Sequence, residues 1–238
     1  MSILIEILLV NLFLFVGAFV QGIIGYGLGI LSVPLVFMVM PSMIPAPMIF
    51  NSIFLCLIIA TDNKNYIDSN ILKWPIVGAL VGTATAASVL AGVEERTFAL
   101  VFSSMLLVLI SLSVLKVKLP INVSSSTTAG FFSALSGTIT AIGGPPIALL
   151  WQNLPPQVIR ANMSVFFIAS SIIALVALFL IGKFGWAEIK LSAATLPGVI
   201  VGFYSSKLIV NRIPAQQVRL GILLMSTLSS LFLFFKYF

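Results

Sequence analysis

The chain is laid out as long, unbroken apolar runs separated by short polar interruptions. The runs do not alternate with period two, so they predict helices and not the strands of a porin-type barrel. Charged positions mark where the runs end: Glu6; Asp62, Lys64, Asp68 and Lys73; Glu94, Glu95 and Arg96; Lys116 and Lys118; Arg160; Lys183, Glu188 and Lys190; Lys207, Arg212 and Arg219; and Lys236. With about 20 residues needed per bilayer crossing, the intervals predict about eight segments. They are residues 3–40, 45–61, 73–92, 97–115, 126–152, 157–182, 190–210 and 216–235. The first and fifth are over-long and contain breaks.

Composition turns this pattern into a fold class. The chain is 60% hydrophobic and 8% charged, against about 25% charged in a soluble domain. So few charges cannot cover a water-facing surface, and lipid must be the solvent. In lipid every backbone N–H and C=O needs an internal partner. The expectation is an all-α integral membrane protein, multi-pass, in a bacterial-type plasma or inner membrane. The net charge of +6 does not suggest nucleic acid, because the basic residues stand singly at run ends, where topology signals sit. Lys64, Lys73, Lys116, Lys118, Lys183, Lys190 and Lys236 fall on one side of eight crossings, and Arg96, Arg160, Lys207, Arg212 and Arg219 on the other. The richer side should be cytoplasmic, with both termini inside. Glu6 is the only early charge, so the first segment lacks the basic start of a cleaved signal and reads as a retained helix.

An internal repeat is the most informative feature. Residues 18–34 align with residues 130–146, setting Gly25 on Gly137, Ile30 on Ile142 and Pro34 on Pro146. Asn51 then pairs with Asn162, Gly78 and Gly82 with Gly198 and Gly202, and residues 93–96 with 213–216. Two repeats are expected, residues 1–118 and 119–238. Duplicated halves are a common plan for secondary transporters. Whether the halves are parallel or inverted depends on whether the broken segment turns back, which sequence leaves open.

Each repeat has a Gly/Pro-interrupted stretch near its start, residues 21–34 and 136–146. Glycine and proline disfavour a continuous helix, and open backbone at membrane depth survives only inside protein or along a wet cavity. Paired interruptions point to a transport site. A restarted helix presents free N–H groups and about half a positive charge, which suits an oxyanion without a buried cation. Pro145 fits the first turn of such a helix. The candidate binding residues are Gln21, Gly25, Tyr26, Gly27, Ser32 and Pro34 facing Thr138, Thr140, Gly143, Gly144 and Pro145. Asn51 and Asn162 join them, either holding the breaks in place or touching solute, since an amide in an apolar helix is costly unless bonded. Arg160, after Pro155-Pro156, is a candidate entrance charge or a topology charge. Gly78, Gly82, Gly198 and Gly202 have the spacing of close helix packing.

Several chemistries lack their residues. With no histidine in the chain, a serine nucleophile has no histidine base. No His/Cys/carboxylate cluster for a metal and no phosphate-binding loop ending in Gly-Lys-Ser/Thr can be found. An enzyme is not expected, and neither a cofactor nor a metal. The single cysteine, Cys56, excludes a disulfide within the chain.

The Gly-rich break, the proline and the small-residue helix, repeated, resemble the sulfite exporter TauE/SafE family. The matching pieces are Gly22 to Pro34, Gly137 to Pro146, Gly185-Trp186 and residues 198–202. The resemblance covers nearly the whole chain. It implies a gradient-driven permease for sulfite, an organosulfonate or another small organic acid. One departure is Gly25-Tyr26-Gly27-Leu28-Gly29, where adjacent glycines are expected. The residues alone also admit a permease for a neutral or cationic solute, or a non-transporting membrane subunit. A homo-oligomer is not readable.

Overall fold

In the computed structural model, the described residues are 2–92, 119–208 and, between these, 101, 102, 104, 105, 107–109 and 111. Among them there is helix and no strand. The first over-long segment is two helices, α1 (Ile3–Ile24) and α2 (Leu28–Val39). Then come α3 (Ala46–Asp62) and α4 (Ser69–Ala91). The fifth segment is likewise two helices, α5 (Val123–Thr140) and α6 (Gly144–Trp151), followed by α7 (Pro156–Leu180) and α8 (Trp186–Lys207). Three of these, α1, α4 and α7, are long and apolar enough to cross a membrane. Predicted segment 97–115 is described only in part, and segment 216–235, like the repeat pair 93–96 and 213–216, lies outside the described residues.

Both breaks have a local cause. Gly25 ends α1 in the left-handed region at φ 97°, and Gly27 precedes α2 at φ 137°, values that glycine adopts freely. The second break achieves the same exit without glycine, since Ala141 takes φ 60°. Thr140 helps hold it there: its Oγ1 donates to Ser136 O at 2.8 Å and accepts the Ile142 N–H at 3.2 Å. Pro145 lies in the first turn of α6, where its missing N–H leaves nothing unpaired.

The break reverses the chain. Ser32 on α2 donates to Phe13 O at 2.7 Å, and Gly17 faces Leu28, so α2 returns antiparallel along α1. Glycines then set the helix pairs. Gly198 and Gly202 on α8 lie against Asn11 and Phe15 on α1, and Gly78 and Gly82 on α4 lie against Thr127 and Phe131 on α5. In both pairs residue numbers advance together, so the helices are parallel. Asn11 adds a side-chain clamp, accepting the Gly198 N–H at 2.8 Å and donating to Ala194 O at 3.0 Å. Between α4 and α5, the described residues 101, 102, 104, 105, 107–109 and 111 are helical, and Phe102 stacks on Phe37 of α2 at 4.4 Å.

Helix directions follow from these contacts. Pro47, Asn51 and Asp62 on α3 meet Ser192, Thr195 and Lys207 on α8, so α1, α3 and α8 run one way. Helices α4 and α7 begin at the same end, where Asn162 bonds Tyr66 and Asp68, and α4, α5 and α7 run the other way. Lys73 over Trp74 and Lys190 over Trp186 mark the starts of α4 and α8, at opposite ends of the bundle, as interfacial aromatics and cations do. Between these levels the outer faces carry exposed Leu8, Leu12, Val77, Val81, Ile172 and Val176, apolar surface that lipid covers.

Candidate functional site

The two breaks meet. A Cβ on Gly29 would lie 2.5 Å from Ala141 O, and one on Gly144 would lie 3.4 Å from the Tyr26 ring. Beside them is a cavity of about 70 Å³. On the same measure a water needs ~10–15 Å³, so the space suits several waters or one small polyatomic ion. Its walls come from both hairpins and from the antiparallel pair α3 and α7. From the first hairpin come Gln21, Tyr26, Gly27 and Gly29, and from the second Ser133, Gly137, Thr138, Gly143 and Gly144. From α3 come Met48, Ser52 and Cys56, and from α7 come Phe167, Ser170 and Ser171. Among the described residues no lysine, arginine or carboxylate lines it.

The positions flanking the two short helices, Gly27 before α2 and Gly143 before α6, both reach the cavity. Each brings the partial positive charge of a helix N-terminus. The first N–H of α2 is already held: Leu28 N donates to Gln21 Oε1 at 3.0 Å, and Gln21 Nε2 points to Cys56 Sγ at 3.6 Å. On the other side Ser133 Oγ donates to Gly143 O, tying the second break to α5. Ser52 and Ser171 face each other across α3 and α7, with hydroxyl oxygens 3.4 Å apart.

Of the sequence candidates, Gln21, Tyr26, Gly27, Thr138, Gly143 and Gly144 line the cavity. The others have framework contacts. Gly25 is where the stem of Arg160 packs, since a Cβ there would lie 2.5 Å from Arg160 Cγ. Ser32 is buried in α2 against α1, Pro34 is buried within α2, Thr140 caps the second break, and Pro145 starts α6. The asparagines correct the expectation that they serve the breaks. Asn51 Nδ2 donates to Thr195 Oγ1 at 2.9 Å on α8. Asn162 accepts the Asp68 N–H at 2.8 Å and donates to Tyr66 O at 3.0 Å and Val158 O at 2.9 Å. Neither lines the cavity. A buried amide bonds whatever polar group lies opposite, and opposite these two are the Thr195 hydroxyl of α8 and the backbone leading into α4. Arg160 sits in the first turns of α7, half-buried, outside the lining, with Nε unpartnered by protein.

The serines were missed. Ser52, Ser170 and Ser171 belong to helical stripes, Met48–Ser52–Cys56 and Phe167–Ser170–Ser171–Ala174. That spacing of small or polar residues within apolar helices is the signal that could have found them. The breaks themselves do not fall where the glycine alignment pairs them. The left-handed exits are Gly25 and Ala141, and the residues before the restarted helices are Gly27 and Gly143. The second exit thus lies four residues past Gly137.

A family model described as Sulfite exporter TauE/SafE matches residues 9–233. The chain belongs to the sulfite exporter TauE/SafE family. TauE/SafE membership makes it a membrane transporter for sulfite or related anions, and not a member of an enzyme family. Comparison with curated proteins and with solved structures found no match.

Proposed function

We propose that this TauE/SafE protein is a gradient-driven permease for a small oxyanion such as sulfite, an organosulfonate or another small organic acid, in a bacterial-type plasma or inner membrane. The observation that carries this is the cavity at the meeting of the two breaks. Two helix N-termini reach it, and its polar lining is hydroxyl and amide. Partial charges fixed in the backbone attract an anion without binding it as tightly as a buried lysine would, and a carrier must also release its cargo.

The binding residues of this reading are Gln21, Tyr26, Gly27, Ser52, Ser133, Thr138, Ser170, Ser171, Gly143 and Gly144. Arg160, packed behind the first break, adds long-range attraction for the anion. The halves 1–118 and 119–238 are read as inverted repeats. The opposed directions of α1–α3–α4 and α5–α7–α8 support that reading. The glycine-packed pairs α1–α8 and α4–α5 then move as stiff bodies against the α3–α7 seam and expose the cavity to each side in turn.

The test is flux of labelled sulfite and small sulfonates into proteoliposomes under an imposed pH gradient. Saturable uptake that unlabelled anions block, absent from empty vesicles, is the expected result. Uptake blocked by cations and not by anions would overturn the anion assignment.

A further inference from the structure

Resting on the anion reading of the same cavity, we propose that the site accepts its solute only as a monoanion and excludes the dianion of the same shape. Positive compensation in the cavity comes from helix ends alone. Each of the two helix N-termini contributes at most about half a positive charge, through Gly27 and Gly143, and the C-terminal ends of α1 and α5 at the same breaks offset part of it. Among the described residues no cationic side chain lines the space, and Arg160 stands outside it.

The hydrogen-bond donors are also few. Leu28 N–H donates to Gln21, the Ser133 hydroxyl to Gly143 O, and the Ser52 hydroxyl to Ile49 O at 2.8 Å, so a hydroxyl that turns to the solute gives up an existing bond. Pro145 and Pro146 remove two N–H groups from the first turn of α6. A first negative charge meets two helix ends. A second meets neither a cation nor a spare set of donors, and burying an uncompensated charge is strongly unfavourable. The titratable side chains facing the solute are Tyr26 on the first break and Cys56 on α3, and no carboxylate or histidine among the described residues lines the cavity to take up a proton. The second proton of a dibasic acid therefore stays with the solute, and transport of such an acid is linked to pH by the solute itself.

The experiment uses the full chain in lipid nanodiscs and measures binding by calorimetry between pH 6 and 9. The probes are methanesulfonate, a monoanion throughout; methylphosphonate, of similar shape, which becomes a dianion near neutrality; and methanesulfonamide, the neutral counterpart. Methanesulfonate affinity should stay within about twofold, which also controls for titration of the protein. Methylphosphonate affinity should fall about tenfold per pH unit above its second pKa. Methylphosphonate affinity that holds or rises through that range, measured against methanesulfonate, overturns the monoanion rule and leaves the anion site standing. Binding of the sulfonamide with neither anion bound at any pH, or no binding by any of the three, removes the anion reading and this inference with it.

Discussion

Gly78→Ala tests the parallel packing of α4 on α5 that holds the second hairpin in place. A Cβ at Gly78 would lie 2.8 Å from Phe131 N and 2.9 Å from Thr127 C, and closer still to Thr127 O. Ordinary contact starts at 3.4 Å, so the methyl intrudes by half an ångström or more on three backbone atoms. None of them can rotate away, and the helices must separate. Overpacking of this kind costs about 1–3 kcal/mol, and rigid backbone on both sides places Gly78 at the upper end. Alanine recovers about 1 kcal/mol through its better helix propensity. The net expectation is a loss of about 2 kcal/mol. Gly92→Ala is the control, because nothing lies within 4 Å of a Cβ there; it should stay within about 0.5 kcal/mol of wild type. Reversible unfolding in mixed micelles reads both. Gly78→Ala as stable as wild type would show that the glycine does not set the approach of α4 to α5, and the stiff-body account of that pair would fail.

The asparagines should differ from each other. Asn162→Ala leaves the Asp68 N–H and Tyr66 O without their partner and should cost about 2 kcal/mol. Asn51→Ala removes one bond to a hydroxyl, and its Oδ1 already has no protein partner, so it should cost about 1 kcal/mol or less, both read in the same unfolding assay. Gln21→Ala frees the Leu28 N–H and removes an amide from the cavity wall; proteoliposome flux should show kcat/KM down about tenfold, the equivalent of one lost hydrogen bond. Exchange of Asp62 for Asn should change stability by less than about 1 kcal/mol, because its ion pair with Lys207 is solvent-exposed on both partners. Trp74 and Trp186 should each be quenched by headgroup-level and not by mid-bilayer spin labels, with an impermeant aqueous quencher in sealed, oriented vesicles reaching them from opposite sides; shared access from one side would contradict the opposed directions of α4 and α8.

The breaks were legible because glycine and proline state plainly where a helix cannot continue. Helix ends at Ile24 and Thr140 and restarts at Leu28 and Gly144 fall inside the interrupted stretches. The position of the second exit was not legible. Matching Gly25 to Gly137 is the natural alignment of glycines, but the second left-handed exit is made by Ala141, a residue with no special tolerance for positive φ. Its conformation is supported by the Thr140 hydroxyl and by partial burial at the meeting of the two breaks, contacts that exist only after folding. The asparagines were misplaced for a related reason. Sequence shows that a buried amide must find partners, but not which neighbouring element will supply them.

The same reasoning explains why serines, and not the most conspicuous polar residues, line much of the cavity. A large amide inside an apolar bundle is best used where two helices need fixing to each other, because leaving it partly bonded costs more than a small hydroxyl does. Asn11, Asn51 and Asn162 all bridge helices or the approach to one. A serine can satisfy itself by donating to its own helix, as Ser52 does to Ile49 O and Ser170 to Phe167 O at 3.3 Å. It then keeps an acceptor lone pair and a rotatable O–H that can turn towards a solute. A site that must be stable both empty and filled needs side chains of this kind. That requirement separates the lining of this cavity from its supporting joints, although both are built from buried polar residues on the same helices.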